Sequence, residues 1–169
     1  RTKTSFENLE IEMFASGLLS EDCPIGFTAD IIGDKWAIII LRDIALLSRR
    51  TFNQLRVKNV EGISSATLAK RLKRLEDVGL LSIRHDPGHL QKKIYCLTEP
   101  AIQFVPIIFA LGHWARMHSR ATDWLNTPIA PFYQGDDQNM AIFLQGLRQI
   151  HLEGTPLNEV HPIFGQLAS

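Results

Sequence analysis

The fold is decided by residues 62–81, which read GISSATLAKRLKRLEDVGLL. Ser64 can cap the start of a helix here, because its hydroxyl can accept a hydrogen bond from an unpaired amide of the first turn. Gly79 can end the helix, because glycine adopts the left-handed backbone conformation at little cost. Between these two residues, leucines recur at helical spacing and form one narrow apolar stripe: Leu68, Leu72 and Leu75. The stretch therefore predicts a helix that buries one side.

The neighbouring segments follow the order of a winged helix-turn-helix. Residues 52–56 predict a short helix before a break, and residues 81–84 alternate as a strand does. A turn signal at residues 86–88 and a second strand at residues 92–97 complete a hairpin. We therefore predict a mainly α fold with a small β-hairpin, a winged helix-turn-helix with additional N- and C-terminal helices for dimerisation. Such a module places its second helix in the DNA major groove.

The charges of the chain are unevenly distributed, although its formal net charge is 0. Residues 49–95 carry 11 Lys and Arg against 4 Asp and Glu, a net charge of +7. The rest of the chain carries 7 Lys and Arg against 14 Asp and Glu, a net charge of −7. A basic segment beside an acidic remainder is typical of a DNA-binding module attached to a body that does not touch DNA. The pattern predicts double-stranded DNA as a partner.

The candidate DNA contacts lie on the predicted helix and on the segments beside it. The side opposite the leucines is cationic, which by itself is often only a solvated face. We expect base contacts from Thr67, Lys70 and Arg71. Further contacts to the DNA backbone are expected from Ser65, Arg74, Arg49, Arg50, Lys92 and Lys93.

The chain divides into three predicted parts: an N-terminal arm or helix at residues 1–22, a winged helix-turn-helix domain with a dimerisation helix at 23–119, and a C-terminal extension of unassigned role at 120–169. Within the last part, residues 137–152 predict one more helix. The apolar region of a signal peptide is missing and no run of 18 apolar residues occurs, so we expect a cytoplasmic protein without a membrane segment.

The helix predicted for residues 100–119 carries more apolar surface than a small winged core can cover. DNA-binding modules of this kind commonly bind paired half-sites as dimers. We therefore expect a homodimer in which this helix, helped by a helix at residues 5–17, buries four residues in or next to the dimer contact: Phe104, Ile108, Leu111 and Trp114.

The two cysteines predict different roles. Cys96 falls on the inward side of a strand and is expected to be a small core residue. Cys23 lies at a predicted helix start, where the helix dipole favours a thiolate, but the adjacent Glu21 and Asp22 disfavour it. Cys23 is therefore either an inert, half-buried residue or a redox-sensing thiol.

Enzymatic chemistry is not indicated by any motif in the chain. His85 and His89 lie in a turn-rich loop without neighbouring Cys or Glu ligands, so no metal site is predicted. Nucleotide-binding glycine loops and nucleophile motifs do not occur either. We expect a protein that is not an enzyme, with no catalytic residues, no metal and no cofactor.

A set of short motifs occurs in order along about residues 23–119: Cys23-Pro24, Ile32-Gly33-Asp34-Lys35-Trp36, Ile40-Leu41-Arg42, Thr51-Phe52-Asn53-Gln54-Leu55, Gly62-Ile63-Ser64, residues 72–80, Pro87, Tyr95 and Leu97-Thr98-Glu99. With these motifs the chain resembles the HxlR-type winged helix-turn-helix regulators. The resemblance implies a homodimeric bacterial transcription regulator, and in some members a cysteine at the position of Cys23 senses oxidants or electrophiles.

The chain also departs from this family. Asp34 stands where a second glycine is usual, Leu90-Gln91 replaces a pair of prolines, and Ile94 replaces an acidic residue. Residues 120–169 have no counterpart in the minimal pattern. Two alternatives therefore stay open: a winged-helix adaptor between proteins, and a ligand-responsive regulator that uses the C-terminal extension.

Overall fold

A computed structural model describes residues 23–86, 88–118 and 137–164 of the chain. The N-terminal arm at residues 1–22 lies outside the described residues. The elements in chain order are α1 (Pro24–Ile32), α2 (Lys35–Leu47), α3 (Phe52–Val57), α4 (Ser65–Asp77), β1 (Leu81–Asp86), β2 (His89–Leu97), α5 (Glu99–His118) and α6 (Asp137–Arg148). A π-helical turn (Gln149–Glu153) and a 3₁₀ turn (Leu157–Glu159) follow α6. This order is the predicted winged helix-turn-helix with additional helices.

Helix α4 begins and ends as its sequence predicts. The Ser64 hydroxyl oxygen accepts from the backbone N–H of Thr67 at 3.1 Å, and Gly79 has a φ of 73° just after the helix. The three predicted leucines of its inner side are buried: Leu68, Leu72 and Leu75. Their burial fixes which side of α4 faces outward, because residues on the opposite side cannot reach the core.

Helix α2 lies at the centre of the core. Asp34 caps its first turn, with Oδ1 accepting from the backbone N–H of Trp36 at 2.8 Å. The helix ends at Ser48, whose φ of 49° is left-handed. Seven of its 13 residues are buried: Ala37, Ile40, Leu41, Asp43, Ile44, Ala45 and Leu46. One of these, Asp43, is charged, and its surroundings are described below.

The hairpin that forms the wing is longer than predicted. Strands β1 and β2 pair antiparallel from Leu81 opposite Leu97 to His85 opposite Lys93. The register then shifts at Asp86, which pairs with His89. The Asp86 carboxylate accepts from the N–H of Gly88 at 2.9 Å, a local bond typical of an Asx turn.

The C-terminal segment packs into the same core as the winged helix. Phe143 on α6 meets the ring of Phe109 on α5 edge to face, with ring centroids 5.8 Å apart. It also stacks on Phe164, with centroids 5.0 Å apart. A Cβ atom added to Gly146 would overlap the Phe164 ring, so this aromatic ring rests directly on the α6 backbone. Residues 137–164 therefore complete the core.

One side of helix α5 is buried in the core, and another side carries exposed apolar residues. Ile108, which we expected in or next to a dimer contact, is only 6% exposed and belongs to the core of the chain, as does Phe109. Ile108 faces inward because α5 packs against α2 and α6, and its place in or next to a dimer contact stays a prediction. Phe104 is partly buried against the same core. Large apolar side chains that remain exposed on α5 are Ile107, Leu111, Trp114 and Met117.

None of the described helices is both long enough and apolar enough to cross a membrane.

Candidate nucleic-acid interface

The outward side of α4 presents small and cationic residues. Ser65 and Lys70 are exposed, and Arg74 is partly exposed. Lys73 is also exposed, but its ammonium group forms an ion pair with Asp77 one turn later. The hydrogen bond with Asp77 raises the pKa of Lys73, so this lysine stays charged. The Thr67 hydroxyl accepts from the Ser64 hydroxyl at 2.8 Å, at the start of the helix.

Arg71 is engaged by the protein itself. Its Nε lies 2.9 Å from Oδ2 of Asp34, and both side chains are about one third exposed. Because Asp34 also caps α2, one carboxylate joins the start of α2 to the middle of α4. We predicted that Arg71 contacts DNA bases; in the structure this guanidinium is paired.

Arg49 is also held inside the protein, in a network around Asp43. The Asp43 carboxylate is 1% exposed and accepts from Arg42 Nη2 at 2.6 Å and from Arg49 Nη1 at 3.0 Å. Arg42 Nη1 in turn lies 2.6 Å from Glu61 Oε1 in the loop before α4. The network therefore connects α2 to the loops on either side of α3.

The same network explains two shifted pKa values. Burial opposes the charge of Arg42, but the hydrogen bond with Glu61 and the nearby Asp43 outweigh it and raise the pKa of Arg42. The hydrogen bond from Arg42 lowers the pKa of Glu61. Both groups therefore stay ionised over the physiological range.

Arg50 anchors the wing instead of reaching outward. Its Nη2 lies 2.9 Å from Sγ of Cys96, and its backbone carbonyl accepts from the N–H of Tyr95 at 2.8 Å. We predicted that Arg49 and Arg50 hold the DNA backbone. Each arginine has a partner within the protein, and its contact with the DNA backbone stays a prediction.

The two wing lysines differ in whether they form an ion pair within the described residues. Lys92 Nζ lies 2.7 Å from Asp86 Oδ2 across the hairpin. Lys93 is exposed and has no ion-pair partner in the part of the chain that the structure describes. An open groove of about 520 Å³ separates the wing from the start of α3. It is lined by Thr51, Phe52, Asn53, Gln91, Lys92, Lys93 and Tyr95.

His151 is a buried polar residue that no sequence motif marks. It is 2% exposed, and its Nδ1 accepts from the backbone N–H of Leu97 at 3.2 Å. Burial lowers the pKa of His151 well below its ordinary value of 6.5, and the positive charges of Arg50 and Arg84 lower it further. The imidazole is therefore neutral, with its proton on Nε2 because Nδ1 acts as an acceptor.

The cysteines have contrasting surroundings. Cys23 is exposed at the N-cap of α1, where its Sγ lies 3.5 Å from the N–H of Gly26. Cys96 is fully buried, which confirms its prediction as a core residue. Among the described residues, no cluster of three or more His, Cys, Asp or Glu side chains could hold a metal ion.

Comparison with known proteins identifies the family. The model of the HxlR-like helix-turn-helix family matches residues 31–123, more than half of the chain. An uncharacterized HTH-type transcriptional regulator of Synechocystis sp. is 32% identical over 103 residues, which cover 61% of this chain and 70% of that protein. Another from Halalkalibacterium halodurans is 33% identical over 94 residues, which cover 56% of this chain and 82% of that protein.

The fold comparison agrees with the sequence comparison. The crystal structure of PA1607, a proposed transcription factor, has a TM-score of 0.55 and 26% sequence identity, with 62% of this chain and 70% of that chain covered. These relatives are transcriptional regulators, not enzymes. The chain therefore belongs to the HxlR family of DNA-binding helix-turn-helix transcriptional regulators.

Proposed function

We propose that the protein is a homodimeric regulator of the bacterial cytoplasm, in which residues 23–119 supply both DNA binding and the dimer contact. Each subunit inserts α4 into a major groove, with the two half-sites one helical turn or a multiple of it apart. The observation that carries this proposal is the burial of Leu68, Leu72 and Leu75, because it turns the cationic side of α4 outward.

The candidate contacts separate into two groups by their engagement within the protein. The first group can approach DNA without breaking an ion pair with a described residue: Ser65, Thr67, Lys70, Arg74 and Lys93. The second group would first have to give up a contact inside the protein: Arg49, Arg50, Arg71 and Lys92. We therefore assign the main DNA contacts to the first group.

The Lys70→Ala and Arg74→Ala substitutions should each weaken operator binding by about 1–3 kcal/mol, because each removes a cationic contact to a base or phosphate. The operator can be obtained by sequencing genomic fragments that the purified protein retains, and affinity measured by fluorescence anisotropy. Lys73→Ala is the matched control, since it removes the same charge from the same helix at a position paired with Asp77. Unchanged affinity of the Lys70→Ala/Arg74→Ala double variant would contradict the assignment.

The dimer contact is assigned to the exposed apolar side of α5, with a second copy of the chain as its occupant. Leu111 and Trp114 are 43% and 66% exposed, and they lie beside Ile107 and Met117 on this helix. Large exposed apolar patches commonly mark interaction sites. The resulting interface would join the two copies through the helix that directly follows the wing.

We expect Leu111→Glu to give a folded monomer, because a charge would have to be buried in the contact without a partner. Sedimentation velocity at micromolar concentration measures the change, and circular dichroism checks the fold. Ile142→Glu is the matched control, since Ile142 is 40% exposed but lies on α6. A Leu111→Glu protein that sediments as the wild-type dimer would place the contact elsewhere.

Cys23 is the proposed redox-sensing residue, supported by its exposure and its place at a helix start. Diamide should take two electrons and two protons from a pair of thiols and so form a disulfide between Cys23 and Cys23 of the partner subunit. This bond would move the two α4 helices away from the spacing of the two DNA half-sites. The burial of Cys96 makes that thiol a poorer partner. We expect diamide to abolish operator binding by the wild type but not by Cys23→Ser, with a disulfide-linked dimer on a non-reducing gel. Equal responses of the two proteins would exclude Cys23 as the redox-sensing residue.

A further inference from the structure

The outer edge of the wing is held at two backbone positions of β2. Along an antiparallel strand, successive amides point alternately toward the partner strand and away from it. The N–H groups of Tyr95 and Leu97 point away from β1: the first donates to the carbonyl oxygen of Arg50 at 2.8 Å and the second to Nδ1 of His151 at 3.2 Å. One contact comes from the loop before α3, and the other comes from the C-terminal segment.

The C-terminal segment also holds the other wing strand. Arg84 on β1 donates from Nη2 to the carbonyl oxygen of Leu152. Gly154 turns the chain with a φ of 85°, and a Cβ atom there would lie 2.7 Å from Nη1 of Arg84. The guanidinium thus lies against the backbone of residues 152–154, so both strands of the wing contact the C-terminal segment.

The segment is fixed in turn to the beginning of α5. Arg148 Nη2 lies 2.7 Å from Oε1 of Glu99, and its Nε donates to Oε2 at 2.9 Å. Such a two-point arginine–carboxylate contact restrains orientation as well as distance. The hydrogen bond from Arg148 lowers the pKa of Glu99, so this carboxylate remains charged.

We propose that residues 148–154, here named the C-terminal clasp, position the wing for DNA contact, with His151 and Arg84 as positioning residues. This inference rests on the proposed DNA binding and deepens it. A two-stranded hairpin is marginal on its own, so its direction must come from what its edges touch. The family match ends at residue 123, and the clasp therefore adds a wing support from outside the shared module.

The role of His151 depends on one acceptor atom. The N–H of Leu97 is buried, and without Nδ1 it would lose its hydrogen-bond partner. His151→Phe keeps an aromatic ring in the site but removes the acceptor. His151→Asn restores an acceptor oxygen at nearly the position of Nδ1. Arg84→Met is the second variant, because it keeps a long side chain but removes the donor to Leu152.

The test measures whether the wing lysine still contributes when the clasp is broken. Lys93→Ala should weaken operator binding about fivefold in the wild type and in His151→Asn, as expected for one lost phosphate contact. In His151→Phe and in Arg84→Met, the same Lys93→Ala change should have almost no effect, because the wing no longer meets the DNA. Lys70→Ala should weaken binding by the same factor in every background, since α4 is not held by the clasp.

Amide hydrogen exchange followed by NMR gives a readout that does not need DNA. We expect faster exchange over residues 89–97 in His151→Phe and in Arg84→Met, restored to the wild-type rate in His151→Asn. Either of two results in His151→Phe and Arg84→Met would overturn the clasp proposal. In the first, Lys93→Ala weakens operator binding in both variants as much as it does in the wild type. In the second, the amides of residues 89–97 exchange at the wild-type rate in both variants. If the wild type retains no DNA fragment, the proposed function fails, and the exchange rates alone decide whether the clasp holds the wing.

Discussion

We expect Asp43→Ala to lower the free energy of unfolding by about 3–5 kcal/mol, the usual cost of removing one partner from a buried ion pair. The Asp43 carboxylate is 1% exposed and is the shared counter-charge of Arg42 and Arg49. These arginine side chains are 17% and 18% exposed, so water can reach them only in part. Without Asp43, Arg49 loses its carboxylate partner, and Arg42 retains only Glu61.

Urea denaturation followed by circular dichroism measures this loss. Glu61→Ala is the matched control, because it removes a carboxylate from the same Arg42 at a position that is 22% exposed. We expect the control to cost about 1 kcal/mol, since partly exposed pairs contribute little. Equal destabilisation by the two substitutions would show that the burial of Asp43 adds nothing to its ion pairs.

The second large effect is a fall in stability below pH 6.5 that comes from His151. In the unfolded chain this imidazole takes up a proton near its ordinary pKa of 6.5, whereas burial beside Arg50 and Arg84 keeps it neutral in the fold. Below pH 6.5 the unfolded state therefore binds one more proton. The free energy of unfolding should drop by up to about 1.4 kcal/mol per pH unit until the folded pKa is reached.

The window for this measurement lies between about pH 5 and pH 6.5, above the range in which carboxylates titrate. Glu61 and Glu99 have pKa values below the ordinary value of 4.5. Their contributions to stability are therefore complete above pH 4.5 and are lost only at lower pH. His151→Asn removes the titrating group while keeping an acceptor for the N–H of Leu97. Its stability should vary less with pH than that of the wild type; parallel curves for the two proteins would refute the role of His151.

Much of the fold was predictable because its signals are local. The cap at Ser64, the stop at Gly79 and the leucine stripe between them lie within 16 residues, and all appear in the structure. The hairpin was predicted from alternation and one turn signal, although its strands extend further than expected. These features depend on hydrogen bonds and periodicities within a few residues, which a sequence displays directly.

The individual roles of the cations were less predictable. Their residue types and positions indicated DNA contacts, but charge alone does not say which partner is nearest. Arg71 pairs with Asp34, Arg49 with Asp43, and Arg50 with Cys96 and the backbone of β2. The partners of Arg71 and Arg50 lie 37 or more residues away in the chain, so only the folded arrangement brings them together.

By itself, the sequence determined that this chain carries a winged helix-turn-helix with a cationic helix, because caps, turns and apolar spacing act over short distances along the chain. Only the tertiary structure decided that residues 137–164 complete the core and that His151 holds the outer edge of β2. The physical reason is that an edge amide and a buried imidazole form hydrogen bonds with groups that lie within about 3 Å in space, whatever their separation along the chain. For Leu97 that partner is 54 residues further along the chain.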